Sequence, residues 1–324
     1  MKEIGFIDWD AAVAAGRAVV PPGPALSATE AAEAVASLRQ AAVTAVEHVG
    51  GVTELAAPAP ADTLVVDRPS WMKACAETAA TVIGALGAPD NPWQAVLGRV
   101  RGGQAGAVLA AISTRVLGQF DPFGEPARLL LVAPNIVAVE RDLRVVPADF
   151  RLWVCLHEQT HRFQFGQAPW LREHLLGLIT GLLDEEDLFS WPQAASGASI
   201  VDRMLSPQAR ATFDQITAAM SLIEGHADVM MDRVGTDVVP TLPTIRAAFE
   251  ARRDRGGWTA IVGRLLGNDL KLAQYREGAA FCRAVIDQTD VATLNAVWSG
   301  ADALPTLAEV RDPDGRAWLR RVHG

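Results

Sequence analysis

The feature that most constrains this chain is HEQTH, inside the segment RLWVCLHEQTHRFQF at 151–165. His157 and His161 can present their imidazoles to one point only if the segment is an α-helix, where positions i and i+4 lie one turn apart on the same face. Glu158, one step round from His157, then faces a water in the open position of a metal held by the two rings, and can accept its proton. A chain of this composition in random order would contain about 0.005 such matches. The surrounding sequence agrees with a helix. Pro147 and Asp149 stand where a helix begins, and Val154, His157, His161 and Phe165 share one side at helical spacing.

The rest of the chain reads as mainly α with a few short strands, in a single domain over 1–324 whose catalytic core lies at about 118–290. A helical subregion at 1–56 precedes the linker APAPAD (57–62). Helices are expected at 28–49, begun by Ser27 or Thr29, at 71–86, and at 94–118, where Gly102, Gly103 and Gly106 weaken the middle. TLVVD (63–67) reads as a strand. RLLLVAPNIVAVERD (128–142) has two short apolar runs around Pro134 and Asn135 that read as strands or as a buried strand and turn, and a strand edge ahead of the metal helix suits substrate binding by strand addition.

Charge and cysteine usage narrow the partners. A net charge of −9 without a basic cluster argues against nucleic acid and anionic membrane. The three cysteines are far apart and frame no disulfide scaffold, which points to a reducing compartment and makes the cytoplasm the expected location. The start, MKEIGFIDWD, lacks the apolar run of a secretory signal, and LLGLITGLL (175–183) is too short to span a bilayer. Oligomeric state leaves no mark in the sequence.

A catalytic zinc site takes three protein ligands and keeps one position open, so HExxH needs a partner. The segment 206–235 reads as a helix with Ser206 as cap, Pro207 in its first turn and Gly235 at its end. Glu224 lies on one edge of its apolar stripe with Asp228 a turn further on. His226 lies about 160° away from Glu224. One helix cannot offer both to the same ion, and Glu224 is the expected ligand, with His226 the alternative. Asp228 is expected to accept the ring N–H of a ligand histidine and fix its tautomer. An acid pair on a helix is more often a solvated edge; the HExxH upstream tips the balance here. The two motifs together resemble the glutamate zincins, the thermolysin-like group, although 63 residues separate His161 from Glu224.

Taken with IDWDAAVAAGRAVVPPGP, LVVDRPSW, GQFDPFGEPARLLLVAPNIVAVERDL, APWLREHL, EGHADVMMD and LKLAQYREGAAFCRAVID, these motifs make the chain similar over nearly its whole length to the actinobacterial zincin-like metallopeptidases of type 2, hydrolases associated with biosynthesis of a deazaflavin coenzyme. The resemblance implies a zincin-like fold, a zinc peptidase activity, His157, Glu158 and His161 as the metal-binding and catalytic set, and EGHAD as the downstream site segment.

Two further groups enter the expectations. Tyr275, the one tyrosine beside nine tryptophans, and His226 are candidates for stabilising a tetrahedral oxyanion. The reading that results is a zinc hydrolase with one ion per chain, acting on a peptide or small protein. Its competitors are a non-catalytic helical scaffold with a closed structural metal site and a hydrolase of a non-peptide amide metabolite.

Overall fold

The computed structural model describes residues 6–83, 91–184, 206–254 and 270–323. Helices dominate, and one small sheet supports the metal-helix candidate. The central strand of its three is β3 (Arg128–Val132). Strand β1 (Asp62–Val66) runs parallel to it, from Asp62↔Arg128 to Val66↔Val132, and β2 (Gly118–Asp121) runs antiparallel, from Gly118↔Leu131 to Asp121↔Arg128. A parallel neighbour requires a crossover. Helices α3 (Arg68–Ile83) and α4 (Pro92–Ser113) form it, after α1 (Trp9–Val19) and α2 (Ala28–Thr53).

Alternate side chains of β3 serve two cores. Leu129 and Leu131 enter the main core, while Leu130 and Val132 join Trp71, Met72, Ala110 and Val116 on the other face. Both faces are covered, which is why RLLLV is apolar without alternation.

Of the two apolar runs in 128–142, read as strands or as a strand and turn, only the first is a strand. Ala133–Leu143 is instead helix α5, with Pro134 in its first turn, where a missing N–H costs nothing, and Ile136, Val137, Val139 and Glu140 buried. Short apolar runs do not distinguish a strand from a buried helix. Asn135 ties this helix to its surroundings, donating to the carbonyls of Ser113 and Val116 at 2.6 Å each and accepting from Arg68 Nε at 2.7 Å.

Helix α4 ends at Ser113, short of the expected 118, and GQFD at 118–121 is β2. Its glycines are a packing surface. A β-carbon on Gly102 or Gly106 would strike the backbone oxygens of Asp8 and Ala12 on and just before α1, so the two helices touch through their main chains.

Helix α6 (Pro147–Gln167) carries HEQTH at the centre of the molecule and is buried on nearly every side, Phe150, Trp153, Leu156, His161 and Phe163 among its covered residues. Helix α2 lies against it: Leu38, Ala42, Ala45 and Val49 share a core with Phe150 and Phe163, and Gln159 donates to the Ala42 carbonyl at 2.9 Å. The segment expected as a linker is pinned to α6 as well, because Arg162 donates to the carbonyls of Pro58 (3.3 Å) and Ala59 (2.7 Å).

Helix α7 (Trp170–Asp184) follows, then α8 (Pro207–Val234), α9 (Leu242–Asp254) and α10 (Leu270–Gln288). Helix α8 starts as its sequence predicts, with Ser206 accepting from the Ala209 N–H at 3.0 Å, and stops at Gly235, whose φ of 77° suits glycine. Helices α8 and α10 cross at Gly225 and Gly278, where a β-carbon on either would collide with the other's backbone. The chain then continues through the short helix Val291–Leu294 and a 3-10 turn at Asn295–Trp298, which sets Trp298 in the core. Among the described residues no helix is long and apolar enough to cross a membrane.

Candidate metal centre

Helices α6 and α8 bring three donor groups together. The Nε2 atoms of His157 and His161 are 3.0 Å apart, their rings nearly perpendicular at 86°. Glu224 Oε2, from α8, lies 3.5 Å from the first and 3.8 Å from the second. One ligand atom from each residue falls within a 4.8 Å span, a set that could hold a metal ion. Two ring nitrogens and a carboxylate oxygen this close form a seat for positive charge. Imidazole and carboxylate are also the donors zinc accepts, so the residues fit the ion.

The centre is open on one side. The side chains of His157 and Glu224 remain 30% and 27% exposed, whereas His161 keeps 11%. Their acidities separate in the same way. Burial opposes the imidazolium of His157, but its hydrogen bond with Glu224 and the charges of Glu158, Glu224 and Asp228 prevail and push its pKa up to about 9. Burial lowers that of His161, with the positive charge of His157 adding to the effect against the pull of Glu224.

Glu158, next to His157 on α6, also reaches the sheet. Its Oε2 accepts the backbone N–H of Phe120 on β2 at 3.0 Å. The strand can come this near because residue 118 is glycine; a β-carbon there would stand 2.6 Å from Glu158 Cγ and 2.8 Å from Oε1. Burial, reinforced by the nearby Glu224 charge, raises the carboxyl to about 7, against the pull of His157 and the Phe120 amide.

Behind the donors the partners differ from the sequence expectation. Asp228, expected to accept the ring N–H of a ligand histidine, has its carboxylate bonded by Arg246 and Arg283 instead, and Arg246 also donates to its main-chain oxygen at 2.8 Å and pairs with Asp232. A carboxylate clamped by two guanidiniums is held toward them, and it acts on His157 through its charge alone. The second nitrogen of His157, Nδ1, faces Met231 Sδ at 3.2 Å. For His161 the corresponding partner is Gln164, whose Oε1 is 2.9 Å from Nδ1.

His226, the alternative third ligand, stands apart from the cluster. It is fully buried, with Nδ1 2.9 Å from Gln164 Nε2 and its ring perpendicular to Trp298 at 5.3 Å between centroids. Burial and the His161 charge drive its pKa down to about 3. The 160° separation on α8 explains why Glu224 and His226 face different neighbours. Tyr275 lies on α10, and its side chain is outside the described residues. Gln164, Met231, Gly118 and Phe120 were not singled out from sequence. Of these only Gln164 carries a local signal, being i+3 from His161 on the same helix.

The family model for zincin-like metallopeptidases matches residues 7–319. The chain belongs to that family. A zincin-like relation implies zinc and a hydrolase, and it is in this chain that the HEQTH helix meets Glu224. The chain is also similar, at 28% identity and a TM-score of 0.74, to a protein from Chloroflexus aurantiacus whose crystal structure is described as that of "a putative hydrolase with a novel fold"; the match covers 98% of this chain and 100% of that one. No curated protein matches this zincin-like chain.

Proposed function

We propose that this chain is a zinc metallopeptidase that holds one ion through His157, His161 and Glu224 and uses Glu158 as general base. The observation that carries the reading is the convergence of three donor atoms within 4.8 Å, with a buried carboxyl on the next residue of the same helix. When bound, zinc supplies Lewis acidity, acidifying water and polarising a carbonyl. The protein's part is geometric and protic. Glu158, anchored by Phe120, takes a proton from water entering at the exposed His157 and Glu224 side and returns it to the leaving amine. A carboxyl raised toward neutrality suits both halves of that transfer. Strand β2 lies at the edge of the sheet beside Glu158, where a substrate main chain can pair.

A peptide or small protein is the proposed substrate. Free Cys75, Cys155 and Cys282 are in keeping with a cytoplasmic setting. The test is metal analysis of protein purified without chelator, joined to cleavage assays on a peptide library and on a panel of amide metabolites. The expected result is about one zinc per chain and peptide cleavage that chelation stops and zinc restores. Cleavage confined to metabolite amides would reassign the substrate, as the coenzyme-associated likeness would have it. Protein that neither carries nor takes up a divalent metal overturns the reading.

A further inference from the structure

We infer that Gln164 is a positioning residue that holds His161 in the Nδ1–H tautomer, and that His226 serves the site by holding Gln164. The inference rests on the metal-centre reading above and assigns the layer behind it. The Gln164 amide is oriented by a group that can only accept: the Ile223 main-chain carbonyl, 2.8 Å from Nε2. The nitrogen end therefore faces α8, and the oxygen end faces His161 at 2.9 Å. A ring nitrogen beside an amide oxygen must carry the hydrogen. With its proton on Nδ1, His161 has its lone pair on Nε2, the atom that meets His157 and Glu224.

The second N–H of Gln164 is directed at His226 Nδ1, 2.9 Å away, so that nitrogen accepts and the His226 proton sits on Nε2. That Nε2 is buried without a protein hydrogen-bond partner. An unmet buried donor is unfavourable, and an apolar side chain would avoid it. What the imidazole offers here and an apolar group does not is the Nδ1 acceptor. With the Ile223 carbonyl it claims both amide hydrogens and excludes the flipped amide, which would set oxygen against oxygen. Helix α8 thus supplies a donor to the ion at Glu224 and, two residues on, the lock for a donor on α6. This resolves the competition between Glu224 and His226 that the sequence left open: the two residues take different tasks.

The decisive measurement is a long-range ¹⁵N–¹H correlation spectrum of metal-free protein carrying ¹⁵N-histidine, with His161 assigned by its loss in His161→Ala. His161 is expected with its proton on Nδ1. Gln164→Leu is expected to release that preference into a mixture and to weaken zinc binding about 10- to 100-fold in chelator competition, with the far-ultraviolet circular dichroism unchanged. His226→Leu, which leaves the Ile223 anchor, is expected to weaken zinc about 2- to 10-fold, less than a full loss of the partner. A parent His161 protonated on Nε2 overturns the inference whether or not the variants fold, and so does a Gln164→Leu protein that binds zinc as tightly as the parent. Failure of the parent to take up zinc would instead overturn the metal-centre reading, while the tautomer is still read directly.

Discussion

The two halves of the metal centre are built to different rules. On the His157 side the groups are partly exposed, charges crowd together, and the ring's outer nitrogen faces a thioether, a weak acceptor. On the His161 side the groups behind the ring are buried and joined by directed hydrogen bonds, running from His161 through Gln164 to Ile223 and His226. The contrast teaches where adaptability and rigidity are placed. A position that admits water and substrate keeps access and charge, and the opposite wall holds geometry.

The largest effect that distinguishes the halves is expected at Glu158. Glu158→Gln keeps size and the Phe120 contact but removes the base, and kcat for peptide cleavage should fall by about 10²- to 10⁴-fold with zinc content unchanged. A variant with full activity would refute the base assignment. Next in size is Gly118→Ala, which touches no ligand. The added methyl must displace Glu158 or β2, and a misplacement near 1 Å is expected to lower turnover by about 10²-fold at parental zinc affinity. Unchanged turnover would show that the strand does not position the carboxyl.

On the rigid side the corresponding change reads out as stability. Gly225→Ala drives a methyl into the α10 backbone at Gly278, and overpacking of this kind costs about 1–3 kcal/mol. A lowered melting temperature is expected with or without zinc, and an unchanged one would show that the α8–α10 crossing gives way freely. A fall seen only in the zinc-loaded protein would assign Gly225 to the ion instead of the crossing.

How much of this was legible in the sequence depends on how local each signal is. The HEQTH helix, the α8 start at Ser206 and the separation of Glu224 from His226 follow from spacing along one helix, and the described helices carry them as read. Contacts between elements were less legible. Nothing in GQFD announces a strand, because it is four residues long and its identity is set by pairing with β3. Gly102 and Gly106 read as helix weaknesses, yet they are where α1 comes closest. Asp228 had the right spacing to serve a ligand ring, but spacing could not show Arg246 and Arg283 arriving from α9 and α10. Met231 and Gln164 replace it, and neither is a residue type that the carboxylate–histidine rule looks for.

The smallest expected effect bears on the comparison most directly, because it sets the pH behaviour of one half against the other in metal-free protein. His157 has a folded pKa raised to about 9, so its contribution to stability is whole below about 6.5 and is lost as pH rises through 9. His161 and His226 are shifted down, so theirs is present above about 6.5 and is lost as pH falls toward their folded values. Glu158, raised to about 7, loses its share between about 4.5 and 7. From about pH 8 to about 9.5 the titration among these four is almost wholly that of His157, and the melting temperature in chelator is expected to fall across that interval. Over about 1.5 pH units one proton can account for at most about 2 kcal/mol, reduced by solvent reaching the ring. Glu224→Gln removes the carboxylate that holds the proton on His157, and should flatten the curve relative to the parent in the same buffers. Parallel curves for the two proteins would mean that His157 and Glu224 do not share that charge, and would erase the electrostatic half of the comparison.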